Sequence, residues 1–318
     1  MADVESRPVR VLTVPSAELL SALQPLPEGI RAVLWDLDGE PEGAEYSEID
    51  AVVFPYLPGN YGAALSRVPD LALLQAQSTG YDGLPELVEP GTAIASAAGV
   101  HAAATAEMAL TLMLASQRGI DEAVRAQSEG RWEAIRWPGL ADRRVLLVGV
   151  GGIGNEIAAR LRPFEVELTR VGRSARTDED GKVHGTDELI DLAAGADILV
   201  VITPLNGQTR HLVDARVLAA LPDGALVVNV ARGAVVDSEA LTKEVSSGRL
   251  RAALDVFDPE PMPSDHPLRS APGAIITPHW GGNTGAFQPR IEAFLRKQVA
   301  LLAQGREPMN LVRRGPWE

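Results

Sequence analysis

Three short segments in the last third of the chain each carry a polar residue that could act on a small acid. Leu226-Val-Val-Asn229-Val-Ala-Arg232-Gly233 places Arg232 just past an apolar run. Leu254-Asp255-Val-Phe-Asp258-Pro-Glu260-Pro261 places Asp255 and Glu260 at and beyond the next, and Thr277-Pro278-His279-Trp280-Gly281-Gly282 places His279 past the last. An Arg, a Glu and a His together suit reduction of a 2-oxo acid. The guanidinium grips the carboxylate and polarises the carbonyl. A protonated imidazole donates to the carbonyl oxygen as hydride arrives, and the Glu carboxylate holds the other ring nitrogen and stabilises that protonated form. Singly, each has a plainer reading: a surface ion-pair partner, a solvated turn and a packed ring. Their joint occurrence at three successive strand ends favours an active site.

That chemistry needs a hydride donor, and a nucleotide signature lies upstream. Val148-Gly149-Val150-Gly151-Gly152-Ile153-Gly154 follows an apolar strand and opens a helix carrying Ile157, Ala158 and Leu161. The first glycine permits the tight turn, the second lets backbone approach a pyrophosphate, and the third allows close helix–strand packing. The helix N–H groups then attract phosphate charge. Gly149, Gly151, Gly152, Ile153 and Gly154 are therefore candidate cofactor contacts. A ribose-binding carboxylate is expected about 20 residues on. Here the strand ends Arg170-Val171-Gly172-Arg173-Ser174-Ala175-Arg176, with no carboxylate before Asp178. Gly172 leaves room, Arg173 and Arg176 supply charge, and Ser174 supplies a hydroxyl. A guanidinium fork matches a 2′-phosphate, so NADP(H) is preferred and NAD(H) is possible. The alternative is a solvated basic loop.

These residues need a scaffold that sets them at strand ends. Short β-type runs alternate with helical stretches almost throughout, which predicts parallel sheets covered by helices. The first series is Val9–Val14, Ala32–Trp35, Ala51–Phe54, Leu71–Gln75 and Thr92–Ala95, with a helix at Ser16–Leu23. Val100–Arg118 is apolar on most faces and reads as a buried helix. The second series is Val145–Val148, Val166–Val171, Ile198–Ile202, Leu226–Val230, Ala252–Leu254 and Ala274–Thr277. Its helices are Gly152–Leu161, Thr186–Ala193, Ala215–Leu221 and Ser238–Ser247. Near-continuous apolar strands such as Asp197-Ile-Leu-Val-Val-Ile suit a sheet buried on both faces. The fold class is α/β: two Rossmann-like, doubly wound parallel-sheet domains. A boundary falls near residue 96, and the closing helix Ala286–Gln304 could return to the first domain. That assigns 1–96 with 286–318 to a discontinuous substrate domain and 97–285 to the dinucleotide-binding domain.

Composition narrows the partners. The 318 residues carry 43 acidic and 29 basic side chains, a net charge of −14, which disfavours nucleic acid and anionic membranes. With 46% hydrophobic and 23% charged residues the chain can build ordinary globular cores. It has no cysteine, which excludes disulfides, thiolate metal sites and a Cys nucleophile. No apolar stretch reaches the ~18–20 residues of a membrane span. The charged start, Met1 to Arg7, shows no export signal. A cytoplasmic protein is the expectation. His184 and His211 are placed in loops and His266 in Asp265-His266-Pro267, without metal-like pairing. No catalytic metal is expected, and activity insensitive to EDTA follows.

With these residues in hand, the chain resembles the D-isomer-specific 2-hydroxyacid dehydrogenase family. The resemblance rests on Gly149-x-Gly151-x-x-Gly154, Asn229-Val-Ala-Arg232-Gly233, Asp255-Val-Phe-x-x-Glu260-Pro261 and Thr277-Pro278-His279, across about residues 96–285. It is weaker upstream, through Gln77-Ser78-Thr79-Gly80-Tyr81-Asp82. The resemblance implies Arg232 as substrate clamp, Glu260 as partner of the imidazole and His279 as acid/base. It implies that N–H groups of Ser78, Thr79 and Gly80 bind the substrate carboxylate. It also implies that Thr105, Thr203, Pro204, Val230, Ala231, Asp255 and Gly281 border the cofactor, Asp255 near the nicotinamide amide. A substrate domain built from both chain ends and a homodimer formed through the region after the crossover helix are further implications. The Gly-Arg-Ser strand end is similar to the NADPH-using glyoxylate/hydroxypyruvate reductases. Nothing after the closing helix suggests the regulatory domain of the longer phosphoglycerate dehydrogenases.

Two departures stand out. Trp280 occupies a place where a smaller aliphatic residue is common, and His101 opens the crossover helix as a cap or a ligand contact. Tyr56, Leu57, Tyr81 and Trp280 are expected to set the pocket volume. The leading expectation is an NADP(H)-linked reductase of a small anionic 2-oxo acid. A nucleotide-sensing binding protein on the same fold, and an NAD-dependent dehydrogenase of a related small acid, are the alternatives. A formate or phosphite enzyme is a further one, but a carboxamide in place of Glu260 would have suggested formate.

Overall fold

A computed structural model describes residues 9–56 and 59–317; Leu57, expected beside the substrate, lies outside them. The described chain divides into two compact units. One runs up to His101 and resumes at Gly285; the other is Ala102–Thr284. The division falls at His101 rather than near residue 96. Ala97 and Val100 pack in the first unit's core, and the Ala97 N–H donates to the Ser78 carbonyl at 2.8 Å, so this stretch belongs with the strand before it.

In the first unit, strands β1 (Val11–Val14), β2 (Arg31–Leu34), β3 (Ala51–Val53), β4 (Leu73–Gln75) and β5 (Ala93–Ala95) are parallel. Their order across the sheet is β5-β4-β3-β1-β2, with a final strand, Leu311–Arg313, antiparallel on β5. Every residue of β1, β3, β4 and β5 is buried, as expected for a sheet covered on both faces. On one face lies the helix Phe287–Ala303, whose Ile291, Leu295, Val299 and Leu302 recur at helical spacing against Val14, Val53 and Leu73. Ser16 caps the helix Ala17–Ala22, its hydroxyl accepting from Leu19 N–H at 3.2 Å. On the other face Trp35, Ile49, Leu65 and Leu74 form a second core.

In the second unit the strands are β6 (Arg144–Val148), β7 (Glu167–Val171), β8 (Arg176–Asp178), β9 (Gly181–His184), β10 (Ile198–Val201), β11 (Leu226–Asn229), β12 (Arg251–Leu254) and β13 (Ala274–Ile276). Their order is β13-β12-β11-β10-β6-β7-β9-β8, parallel except for the β8–β9 hairpin. The helices Ala102–Gln117 and Gly152–Leu161 cover one face through Ala106, Met113, Ile157 and Leu161. The helices Leu189–Ala193, Ala215–Ala220 and Ser238–Ser246 cover the other. Asp214 and Asp237 cap the last two, accepting backbone N–H bonds at 2.9–3.0 Å.

Among the elements not legible in the sequence are two additions to the sheets and one helix. The stretch after Arg173, where no element was expected, holds the β8–β9 hairpin, and His184, expected in a loop, lies in a strand, its Nδ1 2.8 Å from Glu188. Polar three- and four-residue strands show no alternation to read. The hairpin is tied down by buried Arg170, which reaches both Asp178 oxygens at 2.7 and 3.1 Å. The strand Leu311–Arg313 is held by its partner and by Arg313, whose guanidinium donates to the Thr92 and Glu89 carbonyls. The helix Ile120–Ser128 is the third. Among the described residues no helix is long and apolar enough to cross a membrane.

Candidate active site

Strand β6 stands between β7 and β10, where the direction of strand succession reverses, and the glycine turn leaves its carboxyl end at that point. Gly149 has φ +120°, and a Cβ there would stand 2.5 Å from the Ile202 carbonyl oxygen. At Gly154 a Cβ would collide with the Gly149 carbonyl oxygen. Gly151 and Gly152 instead face open space, with nothing within 4 Å of a built Cβ. Gly151 is the N-cap of the helix Gly152–Leu161 and brings no side chain to its end. Among the described residues no protein acceptor takes the N–H groups of Gly152, Ile153 or Gly154. Thr203 Oγ1, just beyond β10, is buried with no hydrogen-bond partner among the described residues. Open backbone, unpaired donors and an orphan hydroxyl on one crest fit a bound dinucleotide.

At the end of β7, Arg173, Ser174 and Arg176 are exposed. The room expected at Gly172 is taken by Arg176, whose Nη1 would lie 2.9 Å from a Cβ at that position. Asp178, the first carboxylate past the strand, is committed to Arg170, which holds its carboxyl below the usual aspartate range.

The next three strand ends carry the candidate acid–base set. Asn229, 1% exposed at the tip of β11, accepts from Ala231 N–H and donates to the Arg232 carbonyl, each at 3.0 Å, and so folds the loop bearing Arg232. Arg232 donates through Nη1 to the Ala231 carbonyl at 2.7 Å. A Cβ at Gly233 would collide with the Phe257 carbonyl group, so this loop lies directly on the segment after β12. There the Phe257 N–H donates to Glu260 Oε1 at 2.9 Å, and Glu260 Oε2 stands 2.7 Å from His279 Nδ1. Burial pushes the Glu260 carboxyl up. The hydrogen bonds from His279 and Phe257, with the charges of His279 and Arg232, outweigh it and hold the group below the usual glutamate range. His279 has φ +53°, a left-handed conformation unusual for a side-chain-bearing residue. Asp255 organises that turn. Its carboxylate accepts from Thr277 Oγ1 at 2.6 Å, Trp280 N–H at 3.1 Å and Gly281 N–H at 2.8 Å. Val230 and Ala231 line the same loop as Arg232, Pro204 follows Thr203, and Thr105 is buried in the helix Ala102–Gln117. Trp280 is half-exposed.

The positioning roles of Asn229 and Thr277 were not read from sequence. The available signal was a polar residue closing a buried apolar strand, which must find partners.

In the first unit, Ser78, Thr79 and Gly80 follow β4. Ser78 Oγ donates to the Gly80 carbonyl at 2.6 Å, and among the described residues no protein acceptor takes the N–H groups of this triplet. Thr79 Oγ1 is buried without a partner among the described residues. His101 is 5% exposed, with Nε2 3.1 Å from the Gln77 carbonyl. Its ring stacks with Tyr56 (centroids 5.5 Å) and Phe287 (5.0 Å), which also stack on each other (4.5 Å). Tyr81 is exposed.

Residues 110–281 match the family model described as D-isomer specific 2-hydroxyacid dehydrogenase, NAD binding domain. A glyoxylate reductase of Thermofilum pendens is 31% identical over 259 residues, 78% of this chain and 76% of that protein. A hydroxypyruvate reductase of Thermotoga maritima is 36% identical over 217 residues, 66% of this chain and 70% of that protein. Among solved structures, a D-isomer specific 2-hydroxyacid dehydrogenase of Xanthobacter autotrophicus Py2 in complex with NADPH and MES superposes with a TM-score of 0.81 at 28% identity, covering 97% of this chain and 100% of that one. An NADPH-dependent glyoxylate/hydroxypyruvate reductase of Sinorhizobium meliloti in complex with NADP and malonate gives 0.78 at 26% identity, covering 98% of both.

Proposed function

The chain belongs to the D-isomer specific 2-hydroxyacid dehydrogenase family of NAD(P)-dependent oxidoreductases, and from that premise we propose that it reduces a small 2-oxo acid of the glyoxylate/hydroxypyruvate kind with NADPH. The observation that carries this reading is the 2.7 Å Glu260–His279 pair beside the Arg232 loop, on the sheet that also carries the glycine crest.

A bound nicotinamide supplies the hydride that adds to C2 of the acid. Arg232 holds the substrate carboxylate and polarises the C2 carbonyl. The N–H groups of Ser78, Thr79 and Gly80 donate to the same carboxylate. His279, protonated, gives its Nε2 proton to the carbonyl oxygen as C2 is reduced, and solvent then restores it. Glu260 receives the Nδ1 proton as a hydrogen bond and keeps the ring oriented. Asp255 and Asn229 hold the two loops in register. The crest Gly151–Gly154 holds the pyrophosphate, with Thr203, Pro204, Val230, Ala231, Thr105 and Gly281 along the rest of the cofactor.

Preference for NADP(H) over NAD(H) is supported by Arg173, Ser174 and Arg176 and by the engagement of Asp178 with Arg170. Arg173→Ala is expected to raise KM for NADPH at least about tenfold, the usual scale of losing a charge-assisted bond, and to change KM for NADH little. Equal effects on both nucleotides would remove the assignment. The reaction itself is tested by following NADPH oxidation with glyoxylate, hydroxypyruvate, pyruvate, phenylpyruvate and branched oxo acids. Nucleotide binding without turnover of any would favour a sensor instead.

The protein acts as a homodimer in this reading, supported by apolar side chains exposed after the crossover helix: Ile120, Val124, Trp132 at 99% and Ile135. Trp132→Glu is expected to halve the mass measured by light scattering; an unchanged mass would move the interface elsewhere.

A further inference from the structure

The parallel strands of the first unit run β5-β4-β3-β1-β2, so their own switch point lies between β1 and β3. In open α/β sheets ligands settle outside the carboxyl ends of the strands at such a point. A cavity of about 600 Å³ occupies that place here. Tyr56 and Tyr61, after β3, and Phe287, at the start of the closing helix, give it aromatic walls. Gln77, whose Nε2 donates to the Phe54 carbonyl at 3.0 Å, lines it and directly precedes Ser78-Thr79-Gly80. Asp36 and Asp38, after β2, complete it, the Asp38 N–H bonding Asp36 Oδ1 at 2.9 Å.

Charge distinguishes this cavity. Among the described residues none that lines it is Lys, Arg or His. Among the described residues neither Asp36 nor Asp38 has an ion-pair partner, whereas nearby in sequence Arg31 pairs with Glu48 and Arg67 with Glu40. Burial pushes the Tyr56 phenol up, so its hydroxyl stays a neutral donor. A second anionic group entering here would meet two carboxylates and no cation. A neutral hydroxylated, aromatic or cationic group would meet ring faces, amides and acceptors.

We propose that this cavity receives the substituent borne by C2 of the oxo acid, and that it selects neutral or cationic substituents against anionic ones. The inference rests on the reading of Ser78–Gly80 as carboxylate donors, because the cavity begins at the residue before them. Discrimination by an unmatched like charge is specificity through repulsion.

The test compares hydroxypyruvate with 3-phosphohydroxypyruvate and oxaloacetate, with glyoxylate as the acid that has no substituent. In the native enzyme kcat/KM for the two anionic acids is expected to lie at least about tenfold below that for hydroxypyruvate. The gap should narrow as salt screens the carboxylates. In Asp36→Asn/Asp38→Asn the ratio of anionic to neutral kcat/KM should rise about tenfold. Anionic acids used as well as hydroxypyruvate by the native enzyme, or a ratio unmoved in the variant while glyoxylate is still reduced, would overturn the cavity assignment and leave the reductase reading standing. Failure to reduce any of the four acids with nucleotide bound would instead overturn the reductase reading, and this inference with it. The salt dependence is read on the native protein, so it stands even if the double variant folds poorly.

Discussion

Replacing His279 by Ala is expected to lower kcat for 2-oxo acid reduction by about 10²–10⁴-fold, the usual share of a positioned general acid, with little change in KM or in the melting temperature. The side chain is nearly half exposed and its ring is hydrogen-bonded to Glu260, so little packing is lost. A kcat near that of the native enzyme would remove His279 from the mechanism. Glu260→Gln separates orientation from charge. The amide can still meet Nδ1, but it cannot balance a charged ring, so kcat for reduction should fall, though less than in His279→Ala. The pH dependence is carried by Glu260. Its folded-state value is depressed, so its contribution is present above the ordinary glutamate range and is lost as pH falls through the depressed value. Loss of activity below that range should therefore accompany loss of the pair, and Glu260→Gln should lack that acid limb.

Two glycines three positions apart should differ in what their loss does to stability. Gly151→Ala meets open space, so the fold should keep its melting temperature while KM for the nucleotide rises at least about tenfold, because the methyl stands where backbone must approach the pyrophosphate. Gly154→Ala places a methyl on the Gly149 carbonyl oxygen, and the helix must move off β6. That variant is expected to lose about 2–3 kcal/mol of stability, in the range of a core overpacking, as well as nucleotide affinity. Thermal melts with and without NADPH distinguish the two. Similar melting temperatures for both variants would contradict the close helix–strand approach.

The same contrast runs through the whole molecule. Apolar runs bounded by turn residues, the glycine turn after β6, and the Arg, Glu and His past three strand ends are carried within stretches of about ten residues, so the sequence determined them by itself. Periodicity and backbone sterics act locally. It also determined that no cysteine chemistry is available. The 2.7 Å contact between Glu260 and His279, 19 residues apart, depends on the parallel register of β12 with β13 and on Asp255 pinning the Thr277–Gly281 turn. The β8–β9 hairpin exists because Arg170 is buried against Asp178, and the strand Leu311–Arg313 because β5 offers it an edge. Arg176, Val150 and Val183 close the space over Gly172, and His101 becomes a ring in a stack with Tyr56 and Phe287. The cavity between β1 and β3 is assembled from five separate segments. Each of these arrangements is a matter of which distant surfaces meet once the sheets are formed, and burial and register decide that only in three dimensions.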